Sequence, residues 1–176
     1  MPKSVCSCGD PVSLYYFDGP RGKHIEHAVE VLMAAINDQP HRYLGNQMLQ
    51  DEAYGVFVDL LELAEEGRLR IPEHVKQIHD SPEIDMFEIR WTTIPVIDVD
   101  PVSGLFSETK EVHVRLYMVE VGEPWAVGVH VHEKDLDGNP ATIRMRQGQA
   151  IQQAAKIARD YRSVAWKVPE LSPRSF

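Results

Sequence analysis

Phe87-Glu88-Ile89-Arg90-Trp91-Thr92 and, further along, Val112-His113-Val114-Arg115-Leu116-Tyr117-Met118 alternate apolar with polar side chains at every second position. A period of two places the apolar members on one side of an extended chain and the polar members on the other, as a half-buried strand requires. Trp125 to His132 continues the pattern, with Trp125, Val127, Val129 and Val131 pointing one way and Gly128, His130 and His132 the other. Gly122-Glu123-Pro124 suits a short connection between the last two runs. Three strands are therefore expected at 86–92, 112–121 and 125–132, paired as an antiparallel meander with one apolar face.

Outward from this core the period becomes helical. Leu14 to Phe17 reads as a short strand, and after the Asp18-Gly19-Pro20 turn Ile25, Val29, Leu32 and Ile36 fall on one stripe of a helix near 24–37. A second helix is expected at 51–66, with Tyr54, Phe57, Leu61 and Ala64 facing inward and Gly67 as its left-handed stop. Pro72 suits the first turn of a short helix through Ile78. A closing helix spans about 147–162, burying Ile151, Ala154, Ala158 and Tyr161. The order predicts an α+β fold, an antiparallel sheet with its helices packed on one face. Between them, Asp98-Val99-Asp100-Pro101-Val102-Ser103-Gly104 is a turn candidate between extended arms, so two meander strands continue into a protruding hairpin. Asp98 and Asp100 lack the glycine and glutamate offsets of a calcium loop.

The 176 residues are 43% hydrophobic and 26% charged, which fits one globular domain. That domain is expected at 13–165, with an insertion at about 93–111, a flexible tail at 1–12 and a second tail at 166–176. The stretch from Ala28 to Ile36 is interrupted by Glu30 and is too short to span a bilayer, and Met1 to Asp10 lacks the apolar core of a signal peptide, so a cytoplasmic location is expected. Cys6 and Cys8 supply at most half of a four-ligand zinc site and read as part of a mobile, unligated tail. The net charge of −9 argues against nucleic acid, but its distribution does not. Residues 137–176 hold seven basic side chains against three acidic ones, a local +4 that leaves −13 on residues 1–136.

The sheet face turned from the apolar core collects Arg90, His113, Arg115, Tyr117, His130 and His132. Imidazoles titrate near neutral pH and guanidiniums pair with phosphate oxygens. Such a face has the parts for RNA cleavage without a metal, in which a base takes the ribose 2′-hydroxyl proton and an acid protonates the departing 5′-oxygen. Two other readings of His130 and His132 stay open here: metal ligands, with His113 as a third, or plain histidines on an exposed sheet face. Lys156 and Arg159 on the closing helix extend the basic set.

In order, Leu60-Leu61-Glu62-Leu63-Ala64-Glu65-Glu66-Gly67-Arg68-Leu69, Pro72, Val75-Lys76-Gln77-Ile78, Met86-Phe87-Glu88-Ile89-Arg90, Val114-Arg115-Leu116-Tyr117 and Ala154-Ala155-Lys156-Ile157-Ala158-Arg159-Asp160-Tyr161-Arg162 follow a familiar progression. It resembles the RelE/HigB-type toxins, in the phage-derived branch of that superfamily, over roughly 14–162. The resemblance implies a RelE-like fold and a messenger RNA endoribonuclease that needs no cofactor. It also implies action usually on the ribosome, neutralisation by a small antitoxin protein, and no DNA or membrane binding by the chain itself. Carried onto this chain, the strand arginines are Arg90 and Arg115, and the basic residue after the last strand is Lys134; with His130 they form the expected catalytic set. Lys156, Arg159, Tyr117 and His132 are the expected RNA contacts. The chain departs from the family in its acidity, in keeping one lysine where a pair is usual, and in the 93–111 insertion. The alternative is a catalytically silent, phage- or prophage-derived interaction protein on the same fold.

Overall fold

In the computed structural model, which describes residues 4–79, 84–120, 124–134, 136 and 139–171, the chain runs β1 (Ser13–Tyr16), α1 (His24–Asn37), α2 (Gln47–Glu65), β2 (Val75–Ile78), β3 (Met86–Val96), β4 (Lys110–Glu120), β5 (Trp125–Lys134) and α3 (Pro140–Tyr161). Short 3-10 turns lie at Val5–Ser7 and Arg162–Lys167. The strands form one sheet in the order β1-β5-β4-β3-β2. The meander β3-β4-β5 is antiparallel, as its alternation requires. No helix among the described residues is long and apolar enough to cross a membrane.

Three expectations about the sheet need correction. The sheet is mixed rather than antiparallel throughout, because β1 runs parallel to β5, a pairing made after both helices have carried the chain back across the sheet. The segment expected as a helix through Ile78 is instead the edge strand β2, paired antiparallel with Met86–Ile89. There Val75 and Ile78 are buried on opposite faces, an arrangement that strand pairing satisfies and one helix stripe does not. Finally, the helices do not share a face. Phe87, Ile89, Trp91, Val114, Leu116 and Met118 pack beneath α1 and α2, whereas Met86, Tyr117, Val119, Val127 and Val129 pack beneath α3. The alternation fades in Tyr117-Met118-Val119, where consecutive apolar residues are buried on both sides, the mark of a strand covered on both faces.

A register shift sets which β5 residues face which way. Tyr117 pairs with His130 and Met118 with Gly128, so Val129 is the extra residue of a bulge. Val127 consequently shares the α3 face with His130 and His132, while Val131 returns to the α1/α2 side. Gly128 is required at this crossing: a Cβ there would lie 2.9 Å from both the Leu116 and Tyr16 side chains.

Neither end of the described chain is a loose tail. Cys6 is buried in the α1/α2 core and its carbonyl accepts from Leu69 N at 2.9 Å. Glu120 accepts from Ser4 Oγ at 2.5 Å and from Val5 N at 2.9 Å, tying the first residues to the end of β4. Gly67, at φ +68°, ends α2 as expected and leaves no room for a side chain against Asp10. At the other end Trp166 is buried, stacks edge-on to Trp125 and donates Nε1–H to Ala158 O. These segments show no apolar period, yet each inserts two residues into a core, Cys6 and Val12 at one end and Trp166 and Val168 at the other; residues 1–3 and 172–176 of the expected tails lie outside the described residues.

The hairpin between β3 and β4 forms as expected. Its turn is closed by Asp100, whose Oδ1 accepts from the Val102 and Ser103 amides and the Ser103 hydroxyl, and these bonds hold its carboxyl below the ordinary aspartate range. Asp98 is committed to Arg42 at 3.1 Å and to Lys110 at 2.6 Å. Arg42 also forks onto both Glu133 oxygens, at 2.8 and 2.9 Å, fastening the hairpin base to β5. Helix α3 begins two turns before the expected start, at the Asn139 cap and Pro140, and α2 begins at the Asn46 cap.

Candidate functional site

Alternation along β3, β4 and β5 delivers the polar residues to one face, and register aligns them. Arg90 pairs with Arg115 and Arg115 with His132, a row across three strands; Tyr117 pairs with His130 and with Glu88, and His113 pairs with Lys134. Neighbouring strands are about 4.8 Å apart, so Arg90 and His132 lie about 10 Å from each other across the row. The apolar stripe of α3, Ala150, Ile151, Ala154, Ala155 and Ala158, packs over Met86, Tyr117, Val119, Val127 and Val129. Arg90, His113, His132 and Lys134 belong to neither core cluster and are each partly exposed. They form the accessible rim of the face.

Beneath that rim lies a buried charged layer. Arg115, only 2% exposed, donates Nη1–H to the carbonyls of Trp91 at 3.1 Å and Val114 at 3.0 Å. Its Nε lies 3.9 Å from Glu88, whose other oxygen lies 3.6 Å from Arg90 Nε. Arg90 also donates to Pro72 O at 3.0 Å. Arg115 is thus a strut that braces β3 against β4 rather than a free guanidinium. Four buried polar atoms of the face accept or donate no hydrogen bond among the described residues: Glu88 Oε2, Arg90 Nε, His113 Nδ1 and the Tyr117 hydroxyl. Glu88 Oε2 and Arg90 Nε are at ion-pair distance from Arg115 and Glu88, which leaves His113 Nδ1 and the Tyr117 hydroxyl without a partner of either kind among the described residues, each at a cost of about 1–3 kcal/mol.

Two imidazoles of the face, His113 and His130, are shifted toward the neutral form. Burial lowers the pKa of His113, and the charges of Arg115, Lys134 and Arg90 lower it further. Burial alone lowers that of His130, which stacks on Tyr117 with ring planes 8° apart. Burial raises the Tyr117 hydroxyl, with Glu88 adding to the effect. His113 is therefore a proton acceptor at neutral pH, next to cations suited to phosphate.

Of the residues expected from sequence, Arg90, Arg115, Tyr117, His130 and His132 share this face, and Lys134 joins it through its pairing with His113. Lys156 and Arg159 do not. Both are exposed on α3, away from its buried alanine stripe, so they stand outside the sheet surface. Glu88 is the member missed in the sequence: it is buried although it is an acid at a strand centre, and the signal available was its place two residues from Arg90 on the same side. Among the described residues no group of three or more His, Cys, Asp or Glu side chains is placed to hold a metal ion, which bears on His113, His130 and His132 and on the Cys6/Cys8 pair alike.

The comparisons with protein families, with curated proteins and with solved structures return no match.

Proposed function

We propose that the rim of this face binds single-stranded RNA and cleaves it as a toxin-like endoribonuclease. The observation that carries the reading is the juxtaposition, on adjacent strands, of Arg90, Lys134 and a neutral His113, beside a Tyr117 hydroxyl and a His113 Nδ1 that are buried with no hydrogen-bond partner among the described residues. In this reaction His113 takes the proton of a ribose 2′-hydroxyl, and the 2′-oxygen bonds to the adjacent phosphorus. The bond from phosphorus to the 5′-oxygen breaks, leaving a 2′,3′-cyclic phosphate and a 5′-hydroxyl end. Arg90 pairs with the phosphorane oxygens as their charge grows, and Lys134, in register opposite His113, returns a proton to the leaving oxygen. Arg115 supports Arg90 from below. His130 and Tyr117 form the floor. The small antitoxin implied by the resemblance belongs to the same proposal.

One observation favours the silent interaction protein instead. Glu88 lies under Arg90 and offsets its charge, which weakens phosphate affinity. Fluorescence anisotropy with a labelled single-stranded RNA separates the possibilities. With Arg115 buried and Lys156 and Arg159 on α3, two rim cations remain for phosphate, and the salt slope expected is about −1.4, at roughly −0.7 per contact. Binding that is no better than millimolar at low salt, or that is unchanged in Arg90→Ala, refutes the RNA reading.

A further inference from the structure

Two surfaces take no part in the rim: the hairpin between β3 and β4, and the outer face of α3. Hairpin residues 97–109 hold three carboxylates, Asp98, Asp100 and Glu108, and no basic side chain. At the tip Val102 is 94%, Leu105 70% and Phe106 62% exposed, three apolar side chains within five residues. Single exposed apolar residues are ordinary, but a contiguous apolar tip marks a surface that meets another molecule. The hairpin is held ready for one. Arg42, its side chain 2% exposed, ties Asp98 to Glu133 of β5, and the Tyr43 ring packs on Phe106, so docking has no loose segment to order.

Helix α3 carries the complementary pattern. From Pro140 to Arg159 it has four basic side chains, Arg144, Arg146, Lys156 and Arg159, and no acidic one. Met145, 56% exposed, stands beside the exposed Arg144 in its second turn, and Leu136, 44% exposed, precedes the helix. Beneath the hairpin tip a cleft of about 360 Å³ sets Leu105 and Phe106 beside Asp100, which suits the aliphatic stem and the guanidinium of an arginine. Asp100 is exposed, and its Oδ2 makes none of the bonds that close the turn. The carboxylates disfavour RNA or an anionic lipid surface at the tip. Hairpin and helix thus match in sign and in apolar character, yet both stay exposed in the single chain, so the match is left to a second copy.

Both surfaces lie at one end of the sheet. The hairpin leaves it at the Val96–Lys110 pair, and α3 follows Lys134, which pairs with His113, three residues and about 10 Å from Lys110 along β4. A two-fold axis at this end lets each hairpin reach the other chain's helix, and such a reciprocal contact closes as a dimer.

We infer that the chain pairs with a second copy of itself about a two-fold axis, the β3–β4 hairpin of each copy docking on the Arg144–Met145 surface of α3 in the other. The inference does not depend on the RNA reading.

The test is sedimentation velocity of the full chain over a concentration series, with cross-linking to locate the contact. A monomer–dimer equilibrium is expected, with dimer predominant above about 100 μM at low salt and weakened by added salt. Leu105→Lys and Arg144→Glu change exposed residues; each should weaken dimerisation roughly tenfold or more while the thermal unfolding midpoint stays near that of the unsubstituted chain. In a Cys8→Ser background, Val102→Cys and Met145→Cys chains should be joined by a short bismaleimide when mixed, and much less when either is alone. A chain that stays monomeric at about 100 μM overturns the inference. So does a dimer that neither charge substitution weakens, or one that cross-links through a single cysteine variant as well as through the mixture.

Discussion

Arg115→Leu is the substitution that best separates a strut from a ligand-binding arginine. The wild-type guanidinium is 2% exposed, bonds two main-chain carbonyls and offsets the buried Glu88 carboxylate. Leucine fills much of the volume but leaves the Trp91 carbonyl without this donor, where the β3–β4 register shifts, and leaves Glu88 with Arg90 as its remaining cation. Losing one partner of a buried pair costs about 3–5 kcal/mol, and solvent screening does not reduce this at such burial. Urea unfolding should give a lower midpoint with unchanged slope, equivalent to a loss of at least about 3 kcal/mol. The double variant Glu88→Gln/Arg115→Leu removes the stranded charge. It should lose less than the sum of the single variants, with a coupling of about 1–3 kcal/mol. A loss under about 1 kcal/mol for Arg115→Leu, or strict additivity, would refute the strut and return Arg115 to the set of free cations.

Glu120→Ala strands the Ser4 hydroxyl and the Val5 amide; a loss of about 2 kcal/mol and faster hydrogen exchange at Leu69 N, which bonds Cys6 O, are expected. The thiols should differ: an aromatic disulfide reagent modifies the exposed Cys8 in the native chain, while Cys6, buried and with its pKa pushed up to about 12, reacts only on unfolding. His113 and His130 have folded pKa values below the ordinary 6.5, so the unfolded chain binds their protons first and stability falls as pH drops below about 6.5. Glu120 and Glu133, raised mainly by burial, act in the opposite sense and add stability as pH falls through their folded values. Thermal unfolding should thus show a decline from pH 7 to about pH 5.5 that His130→Gln makes shallower.

What could be read in the sequence follows the strength of its local patterns. Ile25, Val29, Leu32 and Ile36 mark α1 to its observed ends, and Phe87, Ile89 and Trp91 mark the buried side of β3, because one face of each element meets one core. The shared polar face of Arg90, Arg115, His130 and His132 was legible for the same reason. Signals failed where burial is two-sided or long-range. Val75 and Ile78 make a strand only because β3 lies beside them, and the parallel partnership of β1 with β5 has no local signature. Cys6 and Trp166 lie in short runs, Val5-Cys6 and Val164-Ala165-Trp166, too short to show a helical or two-residue period, so nothing nearby shows that each enters the core. Charge alone groups Lys156 and Arg159 with the sheet, although the alanine stripe between them and the sheet directs both outward.

The central claim is that the rim formed by Arg90, His113 and Lys134 performs chemistry on the ribose 2′-hydroxyl. Its most direct test incubates the purified chain with a single-stranded RNA, with a 2′-O-methyl version of the same strand, and with the RNA plus His113→Ala or Arg90→Ala protein. Cleavage of the unmodified RNA alone, to ends bearing 2′,3′-cyclic phosphate and 5′-hydroxyl groups, is the result expected. Each variant should lose roughly 100-fold or more in rate while keeping its fold. Binding without cleavage, or cleavage that persists in the 2′-O-methyl strand or in both variants, would contradict the claim.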